Sequence, residues 1–261
     1  MKAAIKTPLL AAVFMVIIHS SCLAQFTPPG MGKVNTAEWF AIGMKQKLNT
    51  KKTVNSVTFF GLGRTSTPDD FAPWDRAAIY VLNQEIKHRF AKHWEYAGAL
   101  SYRWQNRYKA EKPYKLDAPY ARQELRTYGK ITYLTDLGRW AIAATYRPEL
   151  RFFYNPDFSP YAEAVQLRSR LKGKVSFALN KAKTQKLMAS VEHLISSTKT
   201  QNWDAWHYKE SRFCLYYSIA FPKQKLVLDI GYMNDLLGNP INHDGHYFAV
   251  DIVINNPFGK G

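Results

Sequence analysis

A strict two-residue alternation recurs from Ala77 towards the C-terminus, and it restricts the chain to β-structure with two chemically opposite faces. Between Trp94 and Arg107 one face reads Trp94, Tyr96, Gly98, Leu100, Tyr102, Trp104. The other reads Glu95, Ala97, Ala99, Ser101, Arg103, Gln105, Arg107. Successive side chains of a strand point to opposite sides, so this segment has one apolar and one polar side. The apolar side carries aromatics at both ends and small or aliphatic residues between them. That is the layout of a strand that crosses a bilayer between two aromatic girdles, with its polar side turned to a lumen.

The same reading predicts strands at 37–48, 53–63, 77–90, 93–107, 120–134, 139–153, 163–179, 185–197, 208–221, 223–235 and 244–255. Arg139, Ala141, Ala143, Thr145, Arg147, Glu149, Arg151 oppose Trp140, Ile142, Ala144, Tyr146, Pro148, Leu150, Phe152. Gln166, Arg168, Arg170, Lys172, Lys174 oppose Val165, Leu167, Leu171, Val175, Phe177, and Glu210, Arg212, Cys214 oppose Phe213, Leu215, Tyr217. Val54 to Leu62 is ambiguous, because both of its faces are mixed. Short connections (Asn49–Lys52, Ala91–Lys92, Asp136–Gly138, Asn180–Thr184, Pro222) alternate with long ones, as periplasmic turns and external loops do in outer-membrane barrels. An odd number of strands conflicts with the even counts of single-chain bacterial barrels. The expectation is therefore an all-β, antiparallel up-and-down transmembrane barrel of ten or twelve strands. Residues 26–37, with Pro28-Pro29-Gly30, form a short plug or an extra edge.

Alternation alone does not say which face is inside, since a soluble barrel alternates too. Three features favour the apolar-out arrangement. The strands are long, whereas soluble strands cluster near five or six residues. Aromatics, 15% of the chain, flank the apolar faces. Arg and Glu mix on single strands, which suits cross-strand pairs in a confined lumen.

The start of the chain reads as a secretory leader: Lys2 and Lys6, the apolar run Leu9 to Ile18, and small residues at Cys22-Leu23-Ala24. Cleavage is expected after Ala24, leaving residues 25–261 as the barrel; acylation of Cys22 is the rival reading. No later stretch approaches the roughly 18 apolar residues of a membrane helix. With Cys22 removed, Cys214 stands alone, which excludes an internal disulfide.

Against this background the chain resembles the outer-membrane barrels of Bacteroidota known only as a domain of unknown function. The resemblance lies in Trp39 with Lys47-Leu48-Asn49-Thr50-Lys51-Lys52, in Arg89-Phe90-Ala91-Lys92-His93-Trp94 leading to Tyr102-Arg103, in Gln123-Glu124-Leu125-Arg126, and in Leu228-Asp229-Ile230-Gly231-Tyr232. The leader ending Leu23-Ala24-Gln25 is similar as well. It implies a location and a fold, and no catalytic residues.

The formal net charge of +16 favours anionic partners. Export disfavours nucleic acid, which leaves outer-membrane lipid, lipopolysaccharide phosphates and anionic solutes. The alternation places Arg103, Arg107, Arg122, Arg126, Arg147, Arg151, Arg168, Arg170, Lys172 and Arg212 on the inward face, against Glu95, Glu124, Glu149 and Glu210. One reading is a narrow anion-preferring pore, since a charged ring selects ions of opposite sign. The other is a lumen filled by Arg and Glu paired with each other, as in barrels of about eight strands. Trp94, Tyr96, Tyr102, Trp104, Trp140 and Tyr217 are the expected interfacial aromatics.

Two alternatives belong to other classes: a lipid-modifying enzyme, or a structural or adaptor barrel that uses its long external loops. His193 lies near Glu192 and Ser190 in sequence, and His243-Asp244-Gly245-His246 flanks the last long loop. Neither matches a zinc spacing or a nucleophile elbow. No catalytic residue, metal or cofactor is expected, and nothing indicates an oligomeric state.

Overall fold

The chain was analysed as a computed structural model that describes residues 26–259. The expected leader, residues 1–24, and Cys22 within it lie outside the described residues. Eleven strands and no helix occur among the described residues: β1 Thr36–Lys47, β2 Val54–Thr65, β3 Arg76–Arg89, β4 Trp94–Tyr108, β5 Leu116–Leu137, β6 Trp140–Tyr154, β7 Pro160–Ala178, β8 Gln185–Lys199, β9 His207–Phe221, β10 Leu226–Leu237 and β11 His243–Asn255. Each predicted strand is present; β5 is the most extended beyond its expected ends.

The strands close into a barrel in chain order, every sequential neighbour antiparallel. Closure is parallel: β1 lies beside β11 with Thr36 opposite His246 and Lys45 opposite Asn255. The expected ten or twelve strands are thereby corrected to eleven. Evenness is required only when the first and last strands run in opposite directions. Here β1 runs with β11, so β1 begins at the end that carries the long loops.

The faces are inverted relative to a soluble barrel. In β4, Leu100 is 68% exposed while its neighbours Ala99 and Ser101 are buried. Leu82, Ile131, Leu171 and Phe248 are exposed in the same way on other strands. Charged side chains lie inside, with Glu149 and Arg212 each only 2% exposed.

Residues 26–35 climb through the interior towards the loop end. Lys172 Nζ donates to Thr27 Oγ1 (2.5 Å) and Arg212 to the Pro28 carbonyl (3.3 Å). Higher up, the Met31 amide donates to the Tyr247 hydroxyl (3.1 Å), and the Val34 carbonyl meets His243 Nε2 (2.9 Å). Of the two expected roles for this stretch, it takes that of the plug. Wall glycines make room for its side chains. A Cβ at Gly63 would stand 2.2 Å from Met31 Cε, and one at Gly43 2.4 Å from the Phe26 ring. Phe26, Met31 and Val34 join Trp39, Val57, Ile79, Tyr216, Met233 and Tyr247 in a buried apolar cluster. That cluster explains the mixed faces of β2: its inward Val57 and Phe59 pack at the plug, while Phe60 is exposed on the outer face, so apolar side chains occur on both sides.

Candidate functional site

The lumen is divided. In its loop half, arginines and carboxylates from β4 to β10 form one continuous network. Glu124 receives Arg126 (2.6 Å), Arg151 (2.8 Å) and Arg103 (3.6 Å). Glu149 receives Arg147 (2.7 Å), Arg170 (2.9 Å) and Arg126 (3.3 Å). Arg170 continues to Glu192 (2.5 Å), and Arg212 links Glu192 (3.6 Å), Glu210 (2.6 Å) and Asp235 (3.6 Å). Arg168 closes on Glu210 at 3.3 Å. Alternation puts these residues inside, and register sets them opposite one another: Arg103 faces Glu124, and Glu192 faces Arg212. Arg forks match carboxylates in two directions at once, which lets each guanidinium bridge two acids.

Every predicted luminal cation points inward, but they do not form an open ladder. Most are absorbed by the network. Arg107 instead pairs with Asp117 near the loop rim (3.3 Å). Arg122 donates to Gln105 (3.2 Å) and lies over the Phe153 ring. Lys172 holds Thr27. Glu124, Glu149 and Glu210 are the expected counter-charges; Glu95 lines the cavity below them. The expected aromatics lie on the outer face. Trp94 packs on Tyr133 and Trp140 on Phe177 near the turn end, and Trp104 on Tyr120 near the loop end. Tyr96 hydrogen-bonds His88, Tyr102 donates to Gln123, and Tyr217 is half-buried.

The turn half is a cavity of about 1200 Å³. Its roof is Phe26, Thr27, Pro29 and the lower arginines; its mouth includes Lys51, Lys52, Lys183 and Lys225, so it opens between the short turns. Lys87 (3.2 Å) and Lys130 (2.6 Å) share a single acid, Glu85. Tyr128 donates to the same carboxylate at 3.0 Å. Sequence reading missed Glu85 and Lys87. They occupy the same parity as Asn83 and Arg89 on β3, so the alternation could have located them. Asp235 was missed as well, although it shares the inward parity of Asp229 on β10.

The histidines do not assemble a metal site; no cluster of metal-ligating side chains occurs among the described residues. His243 meets the Val34 carbonyl, while His246 contacts the Tyr232 hydroxyl (2.6 Å). Glu192, next to His193 in sequence, turns inward. The partner of His193 is Ser211 across the strand pair, with Nδ1 3.0 Å from Oγ, in an exposed position. Cys214 is buried. Outside the wall, Asp69 and Lys112 join two long loops at 2.7 Å, and the ammonium holds the Asp69 carboxyl down at about 2.

No curated protein matches the chain. A family model does, over residues 77–245, more than half of the length. The chain therefore belongs to the family described as "Protein of unknown function (DUF2490)". The matched stretch runs from β3 to the start of β11, and so contains the whole ion-pair network.

Proposed function

We propose that this DUF2490 member is an integral outer-membrane β-barrel, entered by anions from its turn end and shut towards its loop end by residues 26–35 and the Arg–Glu network. The observation that carries the reading is the inversion of faces: apolar and aromatic outside, charged inside. A barrel so built loses free energy in water and gains it in lipid, at about 25 cal/mol per Å² of apolar surface removed from water. Its turns would face the periplasm and its long loops the exterior. Lipid and lipopolysaccharide are then its surroundings, with anionic solutes its cargo. A narrow anion-preferring pore results when the plug withdraws.

Planar-bilayer recording under a salt gradient tests this. The full-length protein is expected to be nearly silent. Removal of residues 26–33 is expected to give stable steps with anion selectivity. Cation selectivity, or wide and stable steps from the full-length protein, would refute the reading.

A second reading, a lipid-modifying enzyme, rests on the contact between His193 and Ser211 on the exposed face. A Ser–His pair supplies a nucleophile and a base, though a third orienting group is also needed. Hydrolysis of phospholipid that disappears in Ser211→Ala would support it; no hydrolysis by the unaltered protein in vesicles would end it.

A further inference from the structure

Arginine and lysine are segregated inside this barrel. The loop half uses arginines, and nearly all are matched by carboxylates. The turn-half cavity has eleven lysines and six arginines in its described lining, against three carboxylates, Glu85, Glu95 and Glu192. Those acids are already engaged or outnumbered: Glu192 is held by Arg170 and Arg212, and Glu85 is shared by two lysines. Among the described residues, Lys47 and Lys174 have no carboxylate within ion-pair distance, and Lys172, which faces Glu192 across the strand pair, donates to the Thr27 hydroxyl. Such an excess of positive charge is costly in a confined, partly apolar space unless an anion is there to offset it.

The mouth points the same way. Three separate short turns place a lysine in the left-handed region: Lys52 (φ 58°), Lys183 (φ 55°) and Lys225 (φ 54°). A non-glycine residue is strained there, and Asn or Asp tolerates the conformation better than Lys. Two of these turns are otherwise built alike. Asn49 accepts from the Thr53 amide and Asn180 from the Thr184 amide, both at 2.9 Å. Turn geometry therefore asks for glycine or asparagine at the fourth position, and the chain supplies lysine there three times around one opening.

We propose that this turn-end vestibule binds a multiply phosphorylated solute, gripped by the lysines of its wall and mouth. Lysine fits that ligand class better than a planar carboxylate. An ammonium is a point charge with three donors, suited to tetrahedral phosphate oxygens approached from several sides, whereas most of the planar forks in this lumen are already spent on carboxylates. A volume of about 1200 Å³ admits several phosphate groups with their bridging atoms. The inference rests on the barrel reading above but not on conduction, since a blind vestibule can bind without a through-path.

The test is calorimetric titration of the full chain, folded in detergent micelles, with tripolyphosphate, and with citrate as the carboxylate comparison. Tripolyphosphate is expected to bind at low salt, more tightly than citrate. Lys52→Asn/Lys183→Asn/Lys225→Asn removes three charges while easing the turns, so the barrel should fold at least as well. This variant is expected to weaken tripolyphosphate at least about tenfold, as the loss of one charge-assisted contact would. Lys47→Gln/Lys174→Gln should do the same from the wall, and Lys109→Gln/Lys115→Gln, on a loop at the far end, should change nothing. No tripolyphosphate binding, citrate binding as tight or tighter, or equal weakening by the far-end pair would each overturn the proposal. Bilayer silence would not, so failure of the pore and failure of the site are read separately.

Discussion

Replacing Glu149 by alanine is the sharpest probe of whether the loop half of the lumen is a packed electrostatic core. Its carboxylate is 2% exposed and receives Arg147 (2.7 Å), Arg170 (2.9 Å) and Arg126 (3.3 Å). Three charge-assisted bonds at about 1.5–3 kcal/mol each would suggest a cost above about 4.5 kcal/mol. That sum overstates it, because contacts sharing partners are not additive. Arg126 keeps Glu124 at 2.6 Å and Arg170 keeps Glu192 at 2.5 Å. Only Arg147 loses its sole carboxylate, and it retains the Tyr128 ring, 3.5 Å from its guanidinium. One stranded guanidinium in a buried setting corresponds to about 3–5 kcal/mol. Urea unfolding in detergent micelles, followed by β-sheet circular dichroism and by folded-band electrophoresis, measures it. Glu95→Ala, outside the network, is the control and should stay within about 0.5 kcal/mol. If Glu149→Ala costs less than about 1 kcal/mol, the value of an exposed pair, the lumen is hydrated and the network is not a seal.

Other outcomes follow from the same contacts. Gly63→Val fills the notch that seats Met31 and should expose the Lys33–Val34 bond to trypsin at least about tenfold faster, as expected when local opening becomes about 1.4 kcal/mol easier; an unchanged rate would mean the plug is not held there. Trp39→Phe keeps the ring but removes the Nε1–H that donates to Asp251 (3.1 Å), and should cost about 1–3 kcal/mol in urea. The Asp69 carboxyl, held at about 2 chiefly by Lys112, should titrate higher in Lys112→Ala by carbon NMR, short of the free value because Thr67 Oγ1 still donates to it (3.0 Å). Because the folded value is depressed, the clasp contributes fully above pH of about 3.9 and is lost as pH falls through about 2; an unshifted titration in Lys112→Ala would refute it.

How much of this was legible depended on which neighbour each strand faces. From β4 to β9 the inner face meets other charged strands, so alternation is clean and the inward set, including Arg126, Glu149, Arg170 and Arg212, could be read directly. In β1 and β2 the inner face meets the plug, so Trp39, Val57 and Phe59 are apolar on the side where polarity was sought, and the pattern fades. Pairing was less legible than direction. Alternation says that Arg170 points inward; it cannot say that Glu149 and Glu192, on two neighbouring strands, both meet it. Register across strands sets that, as it brings Ser211 and not Glu192 to His193.

The odd strand number, the plug and the division of the lumen are one feature. β11 ends at the turn end, and parallel closure makes β1 begin at the loop end. The chain preceding β1 must therefore approach the loop end from elsewhere. The outer wall, lined by exposed Leu, Ile and aromatic side chains, offers an extended segment no hydrogen-bond partners, and each unpaired backbone group against an apolar surface costs free energy. The interior offers them: Arg212 for the Pro28 carbonyl, Tyr247 for the Met31 amide, His243 for the Val34 carbonyl. Once inside, the segment fills the loop half, where apolar side chains on one wall and a self-neutralised network on the other can close around it. Its first described residues, Phe26 and Thr27, lie beside Gly43 and Lys172, at the roof of the turn-half cavity. The lysines there are left facing a cavity and not a partner strand. Parallel closure and the placement of the plug thus belong to one topology, with the lysine-rich cavity beneath the plug.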